Sequence, residues 1–479
     1  MQFSVLRSGM AGMLVGASAF AIVVGLLGAV GRSWAAPVMA VAVLLLGAYY
    51  ARVVGLRVGL VAALIVTSVV DHFTFAVGSL ALRPEQVAAL VALAMLAAMK
   101  VRERSTAWLK PSLAEIFLVG WFLIGMVSSL LGSPDKPHSA KILALTIICS
   151  LGLFLPRRIL SGRQSADNVS AITVWLLLVV AAESAYGTIV YLLHVFGPTI
   201  GITPNPATGH LSAYGTLWEQ NVFGAFAAAG AVAWVYLGPR YFKWAAVGLA
   251  VCLGGLLDSL TRAAWLVAVL VGLLGVTRRG LRHQIDMRTV GLGGLGALVV
   301  VAATLVVDRI GTYTVLESGG TGGGRSSLLA ALLNVIDVIG RWNQLGPVWS
   351  DISGRLALGR GTGSYEVLHI VQGMPEHIAS LPLFLLNDTG IVGLAVFCGF
   401  AVAVVLKAWS NRTDLIVSAL GQVAIVVALT NFATQTTELM VGWLLIGLLL
   451  AACDSAAAAP VPEPKEERAA PSDMGQSNL

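Results

Sequence analysis

Seven basic side chains sit in one polar stretch of an otherwise apolar chain: Arg309, Arg325, Arg341, Arg355, Arg360, His369 and His377, all between Asp308 and Ser380. A planar guanidinium can fork onto a phosphate through two parallel hydrogen bonds, which a lysine cannot do. A histidine beside such groups can exchange a proton near neutral pH. Together these residue types suit chemistry on a group carried by a phosphate or diphosphate. Arg262, in Asp258-Ser-Leu-Thr261-Arg262-Ala-Ala-Trp265, adds a guanidinium at a helix end beside an aromatic residue. A terminal arginine often only snorkels to the membrane surface, but the short loops on this side are otherwise poor in arginine. Arg341 lies between an amphipathic segment and a glycine-rich run, and Arg325, after Gly322-Gly-Gly324, competes with it. As a general base toward a hydroxyl, His377 is the first candidate, with His369 and Glu376 as rivals.

The run Gly359-Arg-Gly361-Thr-Gly363-Ser-Tyr365 has the glycine content of a phosphate loop. It follows no expected strand and no Gly-Lys-Ser/Thr closes it, so a nucleotide-binding fold is not indicated. The same glycines fit a tight turn that needs positive φ. Before it, Leu328, Leu329, Leu332, Leu333, Ile336 and Ile339 recur at helical spacing, which predicts an amphipathic helix on the membrane surface. Trp342 and Trp349 read as interfacial anchors. The acidic residues of the stretch, Glu317, Asp337, Asp351, Glu366 and Glu376, show no evident pairing, which argues against a paired-carboxylate mechanism. Asp71, Glu183, Glu219 and Glu438 lie at the ends of apolar runs or within them, where ionisable groups are costly and often functional.

The elements that must position these residues are helices in a bilayer. Of 479 residues 57% are hydrophobic and 11% charged, against about 25% charged in a soluble domain. Fourteen apolar stretches of spanning or near-spanning length fall near 10–30, 35–51, 57–71, 86–100, 111–131, 139–155, 170–197, 219–238, 243–258, 262–277, 289–307, 381–407, 413–432 and 438–453. The expected fold is an all-α polytopic membrane protein of about 12–14 transmembrane helices with one large external loop containing short amphipathic helices. The domains are a helix bundle over 1–307, the external loop over 308–380, C-terminal helices over 381–454 and a disordered cytoplasmic tail over 455–479. If the N-terminus is cytoplasmic, 20 of the 30 Lys and Arg fall on inner segments. Outside the long loop, only Arg32, Arg83, Lys136, Lys141 and Arg262 fall on the outer side. This asymmetry orients both termini inward and the 308–380 loop outward. The net charge of +6 sits in these short loops, so it reads as topology and no nucleic acid is implied. Cys149, Cys252, Cys398 and Cys453 show no ligand or disulfide spacing. Residues 10–30 exceed a signal-peptide core and read as a retained first helix.

Four motifs, in order, resemble the O-antigen ligase/polymerase family of bacterial envelope glycosyltransferases. Leu217-Trp-Glu-Gln220-Asn221-Val-Phe223-Gly224 is similar to its asparagine motif. Ser259-Leu-Thr261-Arg262-Ala-Ala264-Trp265 is similar to its Ser-Arg-Gly-Ala-Trp motif. Arg341 followed by Gly359-Arg-Gly361-Thr-Gly363-Ser-Tyr365 resembles its arginine and Gly-x-Gly-x-Gly stretch. His377 followed by Asn387-Asp388-Thr-Gly390-Ile-Val-Gly393 resembles its His…Glu-x-Gly-x-x-Gly segment. The likeness covers roughly 215–400. It departs in having Ile378 where the family has Asn after the histidine, and Asp388 where it has Glu. The resemblance implies a glycan donor on a polyprenyl diphosphate carrier in the inner membrane, and an acceptor hydroxyl on a glycan or lipid-linked sugar. It implies inversion at the anomeric carbon, no cofactor and no metal. Arg262 and Arg341 would clamp the diphosphate, with Asn221, Gly361 and Gly363 as further contacts, and His377 would orient or deprotonate the acceptor. A lipid-linked glycan flippase is the competing reading; such transporters tend to carry internal repeats, and none is evident here.

Overall fold

The computed structural model describes residues 55–70, 74–77, 80–102, 109–162, 164–193, 201–204, 211–217, 219–277, 285–317, 341–371 and 374–458. The first two apolar stretches, the amphipathic segment over 326–339, Arg325, Asp71 and the tail from 459 lie outside them. Each of the other twelve apolar stretches is a helix. They are α1 (Leu56–Ser68), α2 (Pro84–Arg102), α3 (Leu113–Gly132), α4 (Lys136–Ile159), α5 (Ser165–Leu193), α6 (Gln220–Tyr241), α7 (Ala245–Asp258), α8 (Arg262–Thr277) and α9 (Met287–Glu317), then α12 (Leu381–Ser410), α13 (Leu415–Thr430) and α14 (Met440–Ala458). Between α9 and α12 lie a 3₁₀ turn (Arg341–Gln344) and two short helices, α10 (Leu345–Ile352) and α11 (Ser364–Leu368). Among the described residues strands form only three two-stranded antiparallel hairpins: β1 (Phe75–Val77) with β2 (Leu80–Leu82), β3 (Ile202–Pro204) with β4 (Leu211–Ala213), and β5 (Ile370–Val371) with β6 (Met374–Pro375). Eight of the described helices are long and apolar enough to cross a membrane. The chain is therefore an all-α protein of the polytopic membrane class. Helix α9 continues to Glu317, past the expected start of the loop at 308. The hydropathy pattern marks where the apolar run ends, but charged residues such as Asp308 and Arg309 continue a helical backbone readily.

Local signals start several helices. Ser112 and Glu115 form a reciprocal capping box on α3. Asp135 caps α4 by accepting from the His138 N–H, and Asp414 caps α13 by accepting from the Val417 N–H. The helices then pack through small residues, as in lipid, where close backbone approach replaces the hydrophobic effect. A Cβ on Gly447 of α14 would lie 2.5 Å from the Gly152 carbonyl of α4, and one on Gly230 of α6 would lie 1.9 Å from Val180 of α5. The opposite faces carry exposed apolar side chains, for example Leu123, Leu130 and Leu131 of α3 and Leu295, Leu298 and Val299 of α9.

At one end of the bundle α3, α4, α12 and α14 are tied by charges. Arg157 bonds to Glu115 and to Asp454, Arg158 bonds to Glu115, and Lys407 bonds to Asp454. Arg157 and Glu115 are buried. Every basic residue in this network, Arg157, Arg158 and Lys407, is one that the charge pattern assigns to the inner side. Removing one member of a buried pair strands a charge and costs about 3–5 kcal/mol. Arg157→Met is therefore expected to lower the thermal unfolding midpoint of the detergent-solubilised protein clearly. Arg412→Gln, at an exposed position, is expected to leave it within about 0.5 kcal/mol of the parent.

Candidate functional site

The site is built around a break in α12. Gly390 has φ 64° and ψ −167°, so the helix stops after Thr389 and restarts. A break frees carbonyls before it and amides after it, which cannot stay unpaired inside a bundle. The loop before α11 supplies partners for four of them. Arg360 N–H donates to the Asn387 carbonyl at 2.7 Å and Gly361 N–H to the Asp388 carbonyl at 3.1 Å. In return Ile391 N–H donates to the Leu356 carbonyl at 3.0 Å and Val392 N–H to the Ala357 carbonyl at 3.2 Å. The Asp388 carboxylate accepts from Gly363 N–H at 3.1 Å, and the Asn387 amide donates to the Ser364 hydroxyl. From α3, Ser128 reaches the Asp388 and Leu358 carbonyls, Ser129 accepts from Thr362 N–H, and Trp121 donates to Thr389.

The glycine-rich run is thus a docking turn, with the amides of Arg360, Gly361 and Gly363 engaged in α12 and that of Thr362 in α3. Gly361 and Gly363 spend their N–H groups on Asp388 and offer none to an anion. Gly359, Gly361 and Gly363 all have positive φ. Arg355 donates to the Leu131 carbonyl of α3 and Arg360 to the Asp351 carbonyl, so one of the loop's arginines ties it to α3 and another closes it on α10.

The docked loop aims α11. Glu366 on α11 is 16% exposed, and its Oε1 lies 2.7 Å from Nδ1 of His377. His377 is 69% exposed, and its other ring nitrogen makes no hydrogen bond among the described residues. The Glu366 hydrogen bond raises the His377 pKa above the ordinary imidazole value; partial burial opposes this, and Glu438 and Glu219 add to it. Gln344, at the end of the 3₁₀ turn that Arg341 opens, latches the histidine's segment. Its amide nitrogen lies 3.0 Å from both Glu376 Oε1 and the His377 carbonyl, and its carbonyl accepts from Ala379 N–H at 3.1 Å. The rivals for the base have partners of their own. His369 pairs with Asp351 at 2.7 Å and stacks on Tyr365, and Glu376 is held by Gln344. Three acids of this stretch thus meet side chains of another type: Asp351 meets His369, Glu366 meets His377 and Glu376 meets Gln344, while Asp337 lies outside the described residues.

The other motifs arrive at the same end. The Ser259-Leu260-Thr261 turn places Leu260 at φ 51°, a conformation a non-glycine residue adopts only under constraint. The constraint is visible: Thr261 Oγ1 donates to the Gln220 carbonyl at 2.9 Å and Trp265 Nε1 to the Leu256 carbonyl at 2.6 Å. Arg262 follows directly, buried at the first position of α8, against the start of α6 that carries Asn221. The Asn221 amide donates to Glu219, whose charge acts on His377. Glu183 is structural. It accepts from Thr216 N–H at 2.6 Å and from the Thr216 hydroxyl at 2.8 Å, and so fixes the turn that leads into Asn221.

Sequence reasoning misses four contributors: His138, whose Nε2 is 3.5 Å from Glu366 Oε2, Glu366 itself, Gln344 and Arg83, which donates to the Glu438 carbonyl at 2.9 Å. None sits in a motif, and they meet only through the fold. Burial, with Glu366 nearby, pushes the Glu438 carboxyl up to about 7, and Arg83 and His377 partly offset this. The described residues contain no cluster of three His, Cys, Asp or Glu that could hold a metal ion. No known family model matches the chain, and no curated protein matches its sequence.

Because a Cβ at Gly390 would lie 2.4 Å from the Ala357 carbonyl, Gly390→Ala is expected to destabilise the protein by at least about 3 kcal/mol and expose the 353–364 loop to protease. Gly421→Ala, in a helix and with nothing near its Cβ, is expected to be neutral or to stabilise by up to about 1 kcal/mol. Thermal unfolding in detergent and limited proteolysis check both.

Proposed function

We propose that the protein is a membrane glycosyltransferase of the O-antigen ligase/polymerase type, acting at the outer face of a bacterial inner membrane. It moves a glycan from a polyprenyl diphosphate to a hydroxyl of an acceptor glycan or lipid-linked sugar. The observation that carries this reading is the Glu366–His377 pair, with an open imidazole nitrogen, at the same end of the bundle as Arg262 and Asn221. A carboxylate on Nδ1 fixes the tautomer that leaves Nε2 as the proton acceptor.

In this reaction His377 Nε2 takes the proton of the acceptor hydroxyl as that oxygen attacks the anomeric carbon. The bond from that carbon to the diphosphate oxygen breaks, and its electron pair leaves with the lipid diphosphate. Attack opposite the leaving group inverts the centre. The negative charge that develops on the diphosphate is what fixed guanidinium groups stabilise most, because they are already oriented and shielded from water. Arg262 and Arg341 take this role. Arg262 is held by the strained turn before it, and Arg341 begins the 3₁₀ turn whose Gln344 grips the His377 segment. An apolar groove of about 430 Å³ supports a lipid-linked substrate. It runs between α12, α13 and α14 and is lined by Leu381, Leu385, Phe397, Ala401, Ile425 and Trp443. It begins at Leu381, just past His377 in the chain.

The test is turnover in lipid with a polyprenyl-diphosphate-linked glycan and an acceptor. Arg262→Ala and His377→Ala are each expected to lower kcat/KM by about 10²-fold or more. The base must be neutral to act, so kcat/KM is expected to rise with pH through the raised His377 pKa. Glu366→Gln removes the charge that raises it and is expected to move the rising limb to lower pH. Full activity in His377→Ala would remove that residue from the reaction.

A further inference from the structure

Only one oxygen of Glu366 serves His377. The other, Oε2, lies 3.5 Å from Nε2 of His138, on the first turn of α4. That ring nitrogen is buried and has no hydrogen-bond partner among the described residues. A buried polar nitrogen is costly to leave without a partner, and the acceptor facing it is the carboxylate that holds His377. The approach depends on a glycine: a Cβ at Gly363 would sit 3.1 Å from the same nitrogen. The backbone of His138 is secured separately, its N–H donating to Asp135 Oδ1 at 3.0 Å.

We propose that His138 is a positioning residue, holding the Glu366 carboxylate in the orientation from which it meets His377. The carboxylate is a bridge between two imidazoles from different parts of the chain. One belongs to the helical frame through α4, and the other to the segment that reaches solvent. A glutamate otherwise turns freely about its side-chain torsions, and a turn would take Oε1 off Nδ1. The charged groups around this bridge are mostly acids. Glu438, before α14, faces both Glu366 and His377, Glu219 faces His377, and Asp388 on α12 faces Glu366. Arg83 faces Glu438. Lys136 and Lys141 share α4 with His138. Of these acids Glu366 is the one that hydrogen-bonds His377. The catalytic consequence rests on the glycosyltransferase reading, whereas the geometric claim does not.

The titration of His377 separates the two. With seven histidines in the chain, selective ¹³C-histidine labelling gives a short spectrum, and His377→Gln assigns the resonance by its loss. The raised value means that the folded state favours protonated His377. In wild type its midpoint is expected above the free-imidazole value of about 6.5. In His138→Ala it is expected to fall toward that value, because Glu366 is released. In His138→Gln, where an amide can still donate to Oε2, it is expected to stay at the wild-type position. Both variants keep the Asp135 cap, which uses backbone. An unchanged midpoint in His138→Ala would overturn the proposal, as would an equal fall in both variants. If wild type turns over the donor, kcat in His138→Ala is expected to drop about tenfold or more with KM held, and His138→Gln is expected to restore it. Absence of turnover in wild type would defeat the functional reading, and the titration alone would then decide the role of His138.

Discussion

The break at Gly390 is the constraint on which the site depends. In a lipid-embedded bundle an interrupted helix is tolerated only when its freed amides and carbonyls find partners in protein. Here the exchange is mutual. Asn387 and Asp388 accept from Arg360 and Gly361, and Ile391 and Val392 donate to Leu356 and Ala357. Each stretch of chain satisfies the other, so neither conformation persists without its partner. Everything that follows is set by this contact: the direction of α11, the place of Glu366, and the pairing of Glu366 with His377.

Charge is used differently at the two ends of the molecule. At one end Arg157, Arg158, Lys407, Glu115 and Asp454 neutralise one another and join four helices. That network spends its charges on holding helices together. At the other end several acids lie near Glu366, and one of them, Glu438, is pushed up to about 7 by burial first and by Glu366 second. His377 is held basic and two-thirds exposed beside them. Arg262 is buried in the first turn of α8 behind a strained residue. The second arrangement leaves a histidine and an arginine at one end of the bundle, which are the groups the proposed reaction would use.

Hydropathy makes the frame legible, because spanning helices must be apolar over a fixed length, and twelve of the expected stretches are helices. It misplaces the end of α9, since charge ends an apolar run without ending a helix. The three small hairpins are invisible to it; strands of two or three residues carry no periodic signal. In the site, Arg262, Asn221 and His377 stand out because their neighbours are distinctive. His138 and Glu366 do not, because a lone histidine after a helix cap and a lone glutamate after a glycine turn have common local surroundings. Their meeting is made by the docking of the glycine loop onto α12 and onto α3, which lies more than 200 residues away in the chain. The glycines of that loop announce a turn, and a turn is what they form. That their amides serve Asp388 is written in no local pattern.

The central claim is that a sugar–phosphate bond breaks at this site. The most direct measurement places the purified protein in sealed vesicles with a polyprenyl diphosphate carrying a labelled glycan and with an acceptor in the lumen or the bath. Free polyprenyl diphosphate and glycosylated acceptor are both quantified. The account predicts that they appear in equal amounts. Passage of the labelled glycan across the membrane still attached to its lipid, with no free diphosphate formed, would contradict it and identify a carrier in place of an enzyme.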